Sequence, residues 1–357
     1  MRPTERDGSR PISRLAMRRR DVLTAIPAAA LLGGVGAVRP ATAQSDTPVG
    51  AAMVARAGAF LAALDDAQRA AATFAFTDPT RRAWNYMLGA RTAPGLPLER
   101  MTDVQQTAAL DLLATGLNGD GMDKADRVMR LQEALNDRFD GNPRSRDRFS
   151  VAIFGTPSMD APWAWRFEGH HLTLSFTLVG TTVVSVTPSS FSSDPNEVFS
   201  GVHQGLVALV DEEALGRRLF ADLSATNRRF ATIAASAPGN VLALAGREAA
   251  IIGTRVGVPL ADMAPTQADL ALRLLEVYAV DHLVGPLADE QRARIAEGDI
   301  MATRFGWAGS ETPGEMIYYR LHGDTFLVEF ASLRNQPLHL HTIRHDTDRN
   351  LGDHIVG

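Results

Sequence analysis

The sequence predicts an α+β protein, with antiparallel sheet segments, a helical N-terminal half and further helices interspersed among the strands. Three observations predict it. The stretch from 51 to about 140 is Ala-rich, with apolar residues at helical spacing and capping signals at several points. From Phe149 the pattern changes to alternation, with Trp163, Trp165 and Phe167 followed by Leu172, Leu174, Phe176 and Leu178. Near the C-terminus, His322-Gly323-Asp324-Thr325 separates two apolar runs as a hairpin turn does.

The elements follow in order. Val54, Phe60, Leu61 and Leu64 share one face of a first helix. Asp65, Thr102 and Ser224 each stand three places before an amide side chain and just after an apolar residue, the pattern of a capping box with half of a hydrophobic staple. A weaker copy is Leu287-Ala288-Asp289-Glu290-Gln291-Arg292. All four are expected at helix starts, and their irregular spacing argues against a solenoid. Asn118-Gly119-Asp120-Gly121 reads as a helix–helix turn, because the later acids of a calcium loop are misplaced. Val151–Phe154 is a short strand. The two alternating runs after it are opposite in phase, so a tight turn or bulge is expected at Gly169. Thr181–Thr187 is a further strand. Helix returns over 207–233 and 267–296, with a connection of mixed signals over 239–265. Met316–Leu321, Phe326–Ala331 and Leu338–Ile343 are the last strands, and the tail from Asp348 is expected to be irregular.

The N-terminus reads as an export address. Arg18-Arg19-Arg20 precedes an apolar run from Thr24 to Val38 and then Ala41-Thr42-Ala43, a small-residue cleavage site. Arg19-Arg20 followed by x-Val-Leu resembles a twin-arginine signal, which exports folded proteins; an ordinary secretory signal starting at Met17 is the alternative. Residues 1–43 are therefore expected to be removed, 44–50 to form a linker and 51–357 to form one domain. The apolar run is short and contains Pro27, which disfavours a retained membrane anchor.

Of 36 basic and 41 acidic residues, the signal holds eight and three, so the mature chain carries a net charge of −10. That surface does not favour nucleic acid or anionic membrane. There is no cysteine, which excludes disulfides, thiolate catalysis and cysteine-ligated metal. A metal would have to be held by imidazole and carboxylate.

Histidine clustering is where the sequence points to chemistry. His339, His341 and His345 share one face of a strand. Imidazoles two residues apart have Cα atoms roughly 6.5–7 Å apart, which suits a common metal ion. Glu168-Gly169-His170-His171 is the second cluster. Neighbouring strand residues point to opposite faces, so a regular strand would offer only one of His170 and His171. Glu168 is a candidate ligand or general base, and Glu329, on a neighbouring strand, a candidate acid–base group or ligand. Trp165, Tyr319 and Arg320 are candidates for holding a substrate by stacking and bidentate hydrogen bonds, although alternating tryptophans suit core packing better. Zinc-protease helices, nucleophile elbows, Walker loops and dinucleotide fingerprints do not occur.

Several motifs resemble one family. Pro162-Trp163-Ala164-Trp165-Arg166-Phe167-Glu168-Gly169-His170-His171-Leu172 is similar to the P-W-G-W-x-x-E-G-H-H-L signature of the family called domain of unknown function 3500. Trp84-Asn85-Tyr86, Gly95-Leu96, Thr187-Pro188-Ser189-Ser190-Phe191 with Asp194-Pro195, Tyr318-Tyr319-Arg320, Phe326-Leu327-Val328-Glu329-Phe330 and His339-Leu340-His341-Thr342 resemble its other motifs in order. The resemblance implies no activity. It departs from the family pattern after Glu329, where Phe330-Ala331-Ser332 lacks an Asp-Asn pair, and at Leu338, where an asparagine is expected. If those groups orient ligands, this member would bind metal weakly or lack activity.

The expected function is metal-dependent hydrolysis of a small polar substrate, with zinc, iron or copper held by His170, His171, His339 and His341 in an exported or periplasmic protein. An iron or copper oxidoreductase and a non-catalytic periplasmic binding or scaffold protein are the alternatives.

Overall fold

In the computed structural model, the described residues are 48–87, 92–137, 144–247 and 255–355. The expected export signal (residues 1–43) and residues 44–47 of the expected linker lie outside them. Helix α1 (Val49–Ala62) takes in the last two residues assigned to the linker. Helices α2 (Asp66–Ala72) and α3 (Asp103–Leu113) begin at reciprocal capping boxes built on Asp65 with Gln68 and on Thr102 with Gln105. Asn118 caps α4 (Gly119–Ala134) by accepting Gly121 N at 2.8 Å. Farther on come α5 (Asp211–Asp222), α6 (Ala225–Ala231, capped by Ser224), α7 (Pro265–Ala279) and α8 (Gly285–Ala296). The fourth capping pattern, 287–292, does not start a helix but lies inside α8. Pro286 occupies the first turn, where its fixed φ favours an earlier start. Among the described residues, no helix is long and apolar enough to cross a membrane.

The strands are β1 (Thr73–Phe74), β2 (Leu96–Pro97), β3 (Ser150–Phe154), β4 (Pro162–Gly169), β5 (Leu172–Val179), β6 (Thr182–Ser185), β7 (Ser189–Phe191), β8 (Thr232–Ala234), β9 (Val258–Pro259), β10 (Arg304–Gly309), β11 (Ile317–His322), β12 (Phe326–Leu333) and β13 (Gln336–Asp346). They form one sheet in the order β1-β3-β4-β5-β7-β13-β12-β11-β10-β8. The phase slip at Gly169 is a two-residue turn, His170-His171. Gly169 pairs with Leu172, and Trp163, Trp165 and Phe167 then fall opposite Leu178, Phe176 and Leu174 on one face. A Cβ on Gly169 would lie 2.3 Å from the Phe149 ring, so the hairpin end packs closely only with glycine there. Strand β10, interrupted by Gly306, escaped the sequence reading; its Trp307 stacks on Phe220 of α5.

The strand arrangement occurs twice in the sheet, as two structural repeats. Strand β3 is flanked by parallel β1 and antiparallel β2, and β10 by parallel β8 and antiparallel β9. Each then continues through an antiparallel meander, β3-β4-β5 and β10-β11-β12. Gly95-Leu96-Pro97-Leu98 and Arg166-Phe167-Glu168-Gly169 recur as Gly257-Val258-Pro259-Leu260 and Arg320-Leu321-His322-Gly323. The repeats meet symmetrically, with Leu117 opposite Leu283, Asn118 N donating to His282 O and Val284 N to Gly116 O, both at 3.1 Å.

One face of the sheet packs on the helices around Trp163, Trp165, Leu174, Phe176, Val328 and Phe330. The other face is covered by two irregular segments, one carrying Trp84 and Tyr86 and the other Val241. His339, His341 and His345 lie on this second face, in the same alternation as Ile343.

Candidate metal centre

The site forms at the seam between the repeats. His171 comes from the turn closing β4 and β5, where it adopts φ 71°, a conformation that non-glycine residues rarely hold. Two backbone bonds keep it there: His171 N donates to Tyr86 O, and Ser192 N donates to His171 O, both at 2.7 Å. His339 and His341 project from β13. The Nε2 atom of His339 lies 2.9 Å from Nε2 of His171 and 3.0 Å from Nε2 of His341. Among the described residues, this trio is the group arranged to hold a metal ion.

On His339 and His341 the opposite ring nitrogen is occupied. Nδ1 of His341 lies 2.8 Å from Asn240 Oδ1, and that amide's orientation is fixed because Val241 N donates to the same oxygen at 2.8 Å. Nδ1 of His339 lies 3.0 Å from Gln336 Oε1 and 3.2 Å from Asp194 Oδ2. Both rings therefore donate from Nδ1 and aim Nε2 lone pairs at each other. Facing lone pairs 3.0 Å apart repel unless a cation lies between them. Carboxylate or amide oxygen behind a ligand imidazole is the usual way to fix its tautomer.

Burial holds His171 and His341 neutral. It pushes His171 and His341 well below the ordinary histidine range, with the neighbouring imidazoles adding to the effect. His170 falls to about 3 through burial, the positive Arg144 and His339. Neutral imidazoles are the form that binds metal.

His170, expected to share the site, stands apart from the trio. Its Nδ1 meets Gln132 Oε1 at 2.8 Å, and its ring stacks on His171 at 3.7 Å. His345, on the face of His341, is turned to Ala243 O (2.7 Å) and Asn350 (2.7 Å). Glu168 is buried, with Arg166 Nε 3.0 Å from its Oε2, which also accepts Asn85 N at 3.1 Å and Thr173 Oγ1 at 3.3 Å. Burial outweighs these partners and raises its pKa. Glu329 accepts Leu242 N (3.0 Å), Ala243 N (2.7 Å) and the Tyr318 hydroxyl (2.6 Å). Neither carboxylate belongs to the trio.

Trp165 and Tyr319 face the helices, on the side of the sheet away from the histidines. Trp165 stacks on Phe176 at 4.3 Å; Tyr319 stacks on Phe330 at 4.9 Å and donates to Glu212 O. Their alternation with residues of the core explains that placement. Arg320 is buried opposite Glu329, two strands from β13.

Asn240, Gln336 and Gln132 went unnoticed in the sequence, and Asp194 and Tyr86 entered only as parts of family motifs. Asn240, Gln132, Asp194 and Tyr86 sit far along the chain from the histidines they meet; Gln336 is three residues from His339, but a lone amide carries no spacing signal. They also answer the family departure: Leu338 and Ala331-Ser332 do not orient these rings, because Asn240, Gln336 and Asp194 do.

A family model described as Protein of unknown function (DUF3500) matches residues 47–353. Neither a curated protein nor a solved structure matches the chain.

Proposed function

The chain belongs to the DUF3500 family, a family of unknown function, and from that premise we propose that it is an exported metalloprotein whose ion is bound by His171, His339 and His341. The observation that carries this is the convergence of three Nε2 atoms, with His171 and His341 buried and held neutral and with His339 and His341 committed at Nδ1. Three protein ligands leave coordination positions for water and substrate, as in catalytic zinc sites. Bound metal lowers the pKa of its water to about 7, so hydrolysis of a small polar substrate needs little further machinery. His339 retains 11 % of its side-chain exposure, which gives the site an opening to solvent. Export rests on the N-terminal pattern, with the twin-arginine machinery as partner and the periplasm or exterior as destination.

One observation favours a second reading, iron or copper and redox chemistry. Bonds of about 2.0–2.1 Å put tetrahedral nitrogens about 3.3 Å apart and right-angled ones about 2.9 Å apart. The spacings of 2.9 and 3.0 Å are nearer the right-angled case, which octahedral iron and tetragonal copper(II) share.

Metal analysis of protein purified without a His-tag tests the proposal. Near one equivalent of zinc, copper or iron is expected, lost in the His339→Ala/His341→Ala double variant. The identity of the metal separates the two readings. Metal-free wild-type protein that stays folded and takes up none of these ions on addition would sink both.

A further inference from the structure

Glu329 stands in a strand of the sheet with no exposure at all, and both of its oxygens are taken by the segment that covers the site. Oε1 accepts Leu242 N and the Tyr318 hydroxyl, and Oε2 accepts Ala243 N. Two residues upstream in that segment is Asn240, whose Oδ1 receives Nδ1 of His341. The same device recurs in the other repeat. Glu168 accepts Asn85 N; the next residue, Tyr86, takes His171 N on its carbonyl and sets its ring edge-on to His341 at 5.1 Å. The two segments touch where Asn240 Nδ2 meets Met87 Sδ at 3.3 Å.

We propose that Glu329 is a positioning residue of the metal centre: its carboxylate captures the backbone of 242–243 and so places Asn240 against His341. This rests on the metal reading for its functional meaning, but the relay itself concerns a tautomer and can be read without metal. An acceptor-only group is required there. Three donors converge on it, two of them backbone N–H groups that have no rotamer with which to turn away. A glutamine would set its own NH2 against one of them. A buried donor left facing a donor displaces the segment rather than staying unpaired.

Imidazole nitrogen spectra of metal-free, histidine-labelled full chain supply the first test. Wild type is expected to show His341 as the Nδ1–H tautomer, and Glu329→Gln to show a tautomer mixture at His341 with His345 also shifted, since Ala243 O is its partner. Asn240→Ala keeps the carboxylate and its two amides and is expected to give the same change at His341 alone. It serves if Glu329→Gln fails to fold. The second test is cobalt(II) titration: both variants are expected to bind about 10- to 100-fold more weakly than wild type, with altered visible bands. An unchanged His341 tautomer in either folded variant overturns the relay. An unchanged tautomer in Asn240→Ala does so even if Glu329→Gln is unstable. Wild-type protein that binds no cobalt overturns the metal reading and leaves the tautomer result to decide the relay.

Discussion

His170 and His171 are adjacent and stack on each other, yet the structure gives them different work. Nδ1 of His170 is spent on Gln132, whereas His171 presents Nε2 to His339. Replacing His171 by Asn is expected to abolish stoichiometric metal binding, and replacing His170 by Asn to retain it. Metal content after dialysis checks the pair, and equal loss from both would remove His171 from its special place. Asp194 is the residue to vary next. Its carboxylate lies 3.2 Å from Nδ1 of His339, where it holds the proton and makes Nε2 the better donor to a metal. Asp194→Asn preserves the shape and removes the charge. Chelator competition is expected to show an affinity about 10- to 100-fold lower, and an unchanged affinity would mean that Gln336 suffices alone.

At the level of elements, the β4–β5 hairpin decides whether His171 reaches the site. Gly169 lies against Phe149, and an added methyl would approach that ring to 2.3 Å. Gly169→Ala is therefore expected to cost about 1–3 kcal/mol, the usual range for overpacking, and to weaken metal binding as well, since the turn carries His171. Urea midpoints measure the first effect; a variant as stable as wild type would show that Phe149 moves aside freely. This hairpin was legible in the sequence because a two-residue turn inverts the phase of alternation, and both runs are unbroken. The capping boxes at Asp65 and Thr102 were legible for the same reason: they are local. Strand β10 was not, since Gly306 interrupts its pattern and β8 and β9, two of its three neighbours, lie far away in the chain. The two H-x-H and G-H-H arms were legible singly. Their meeting was not written in any local pattern, because it depends on β7 bridging β5 to β13. The choice of Asn240 to hold His341, 101 residues away, leaves no trace in composition or period.

Across the whole molecule, the site joins the two repeats, and so does His282, one of the groups that make the fold sensitive to acid. His282 is buried at the contact between repeats and lies well below its ordinary range; burial is the main cause, with Lys124 and Arg344 adding to it. His345 is lowered by burial, and His322 falls to about 4 by burial and the nearby Arg320. None of the three belongs to the metal trio. A histidine held below its unfolded value binds fewer protons folded than unfolded, so its contribution is complete above about pH 6.5 and is lost as pH falls towards the folded value. Urea midpoints of metal-free protein are accordingly expected to be level above pH 7 and to drop steeply between about 6.5 and 4. Saturating metal stabilises the folded state separately, by about 2.7 kcal/mol at a hundredfold excess over Kd. It also competes with protons at His171, His339 and His341, so the metal-loaded curve is expected to be higher at pH 7 and to start falling at lower pH. It should still fall, because His282, His322 and His345 titrate whether or not the ion is bound. A metal-loaded curve flat to pH 4 would mean that the trio alone carries the acid sensitivity, whereas a metal-free curve flat to pH 5 would mean that these rings find protonated states the folded chain tolerates.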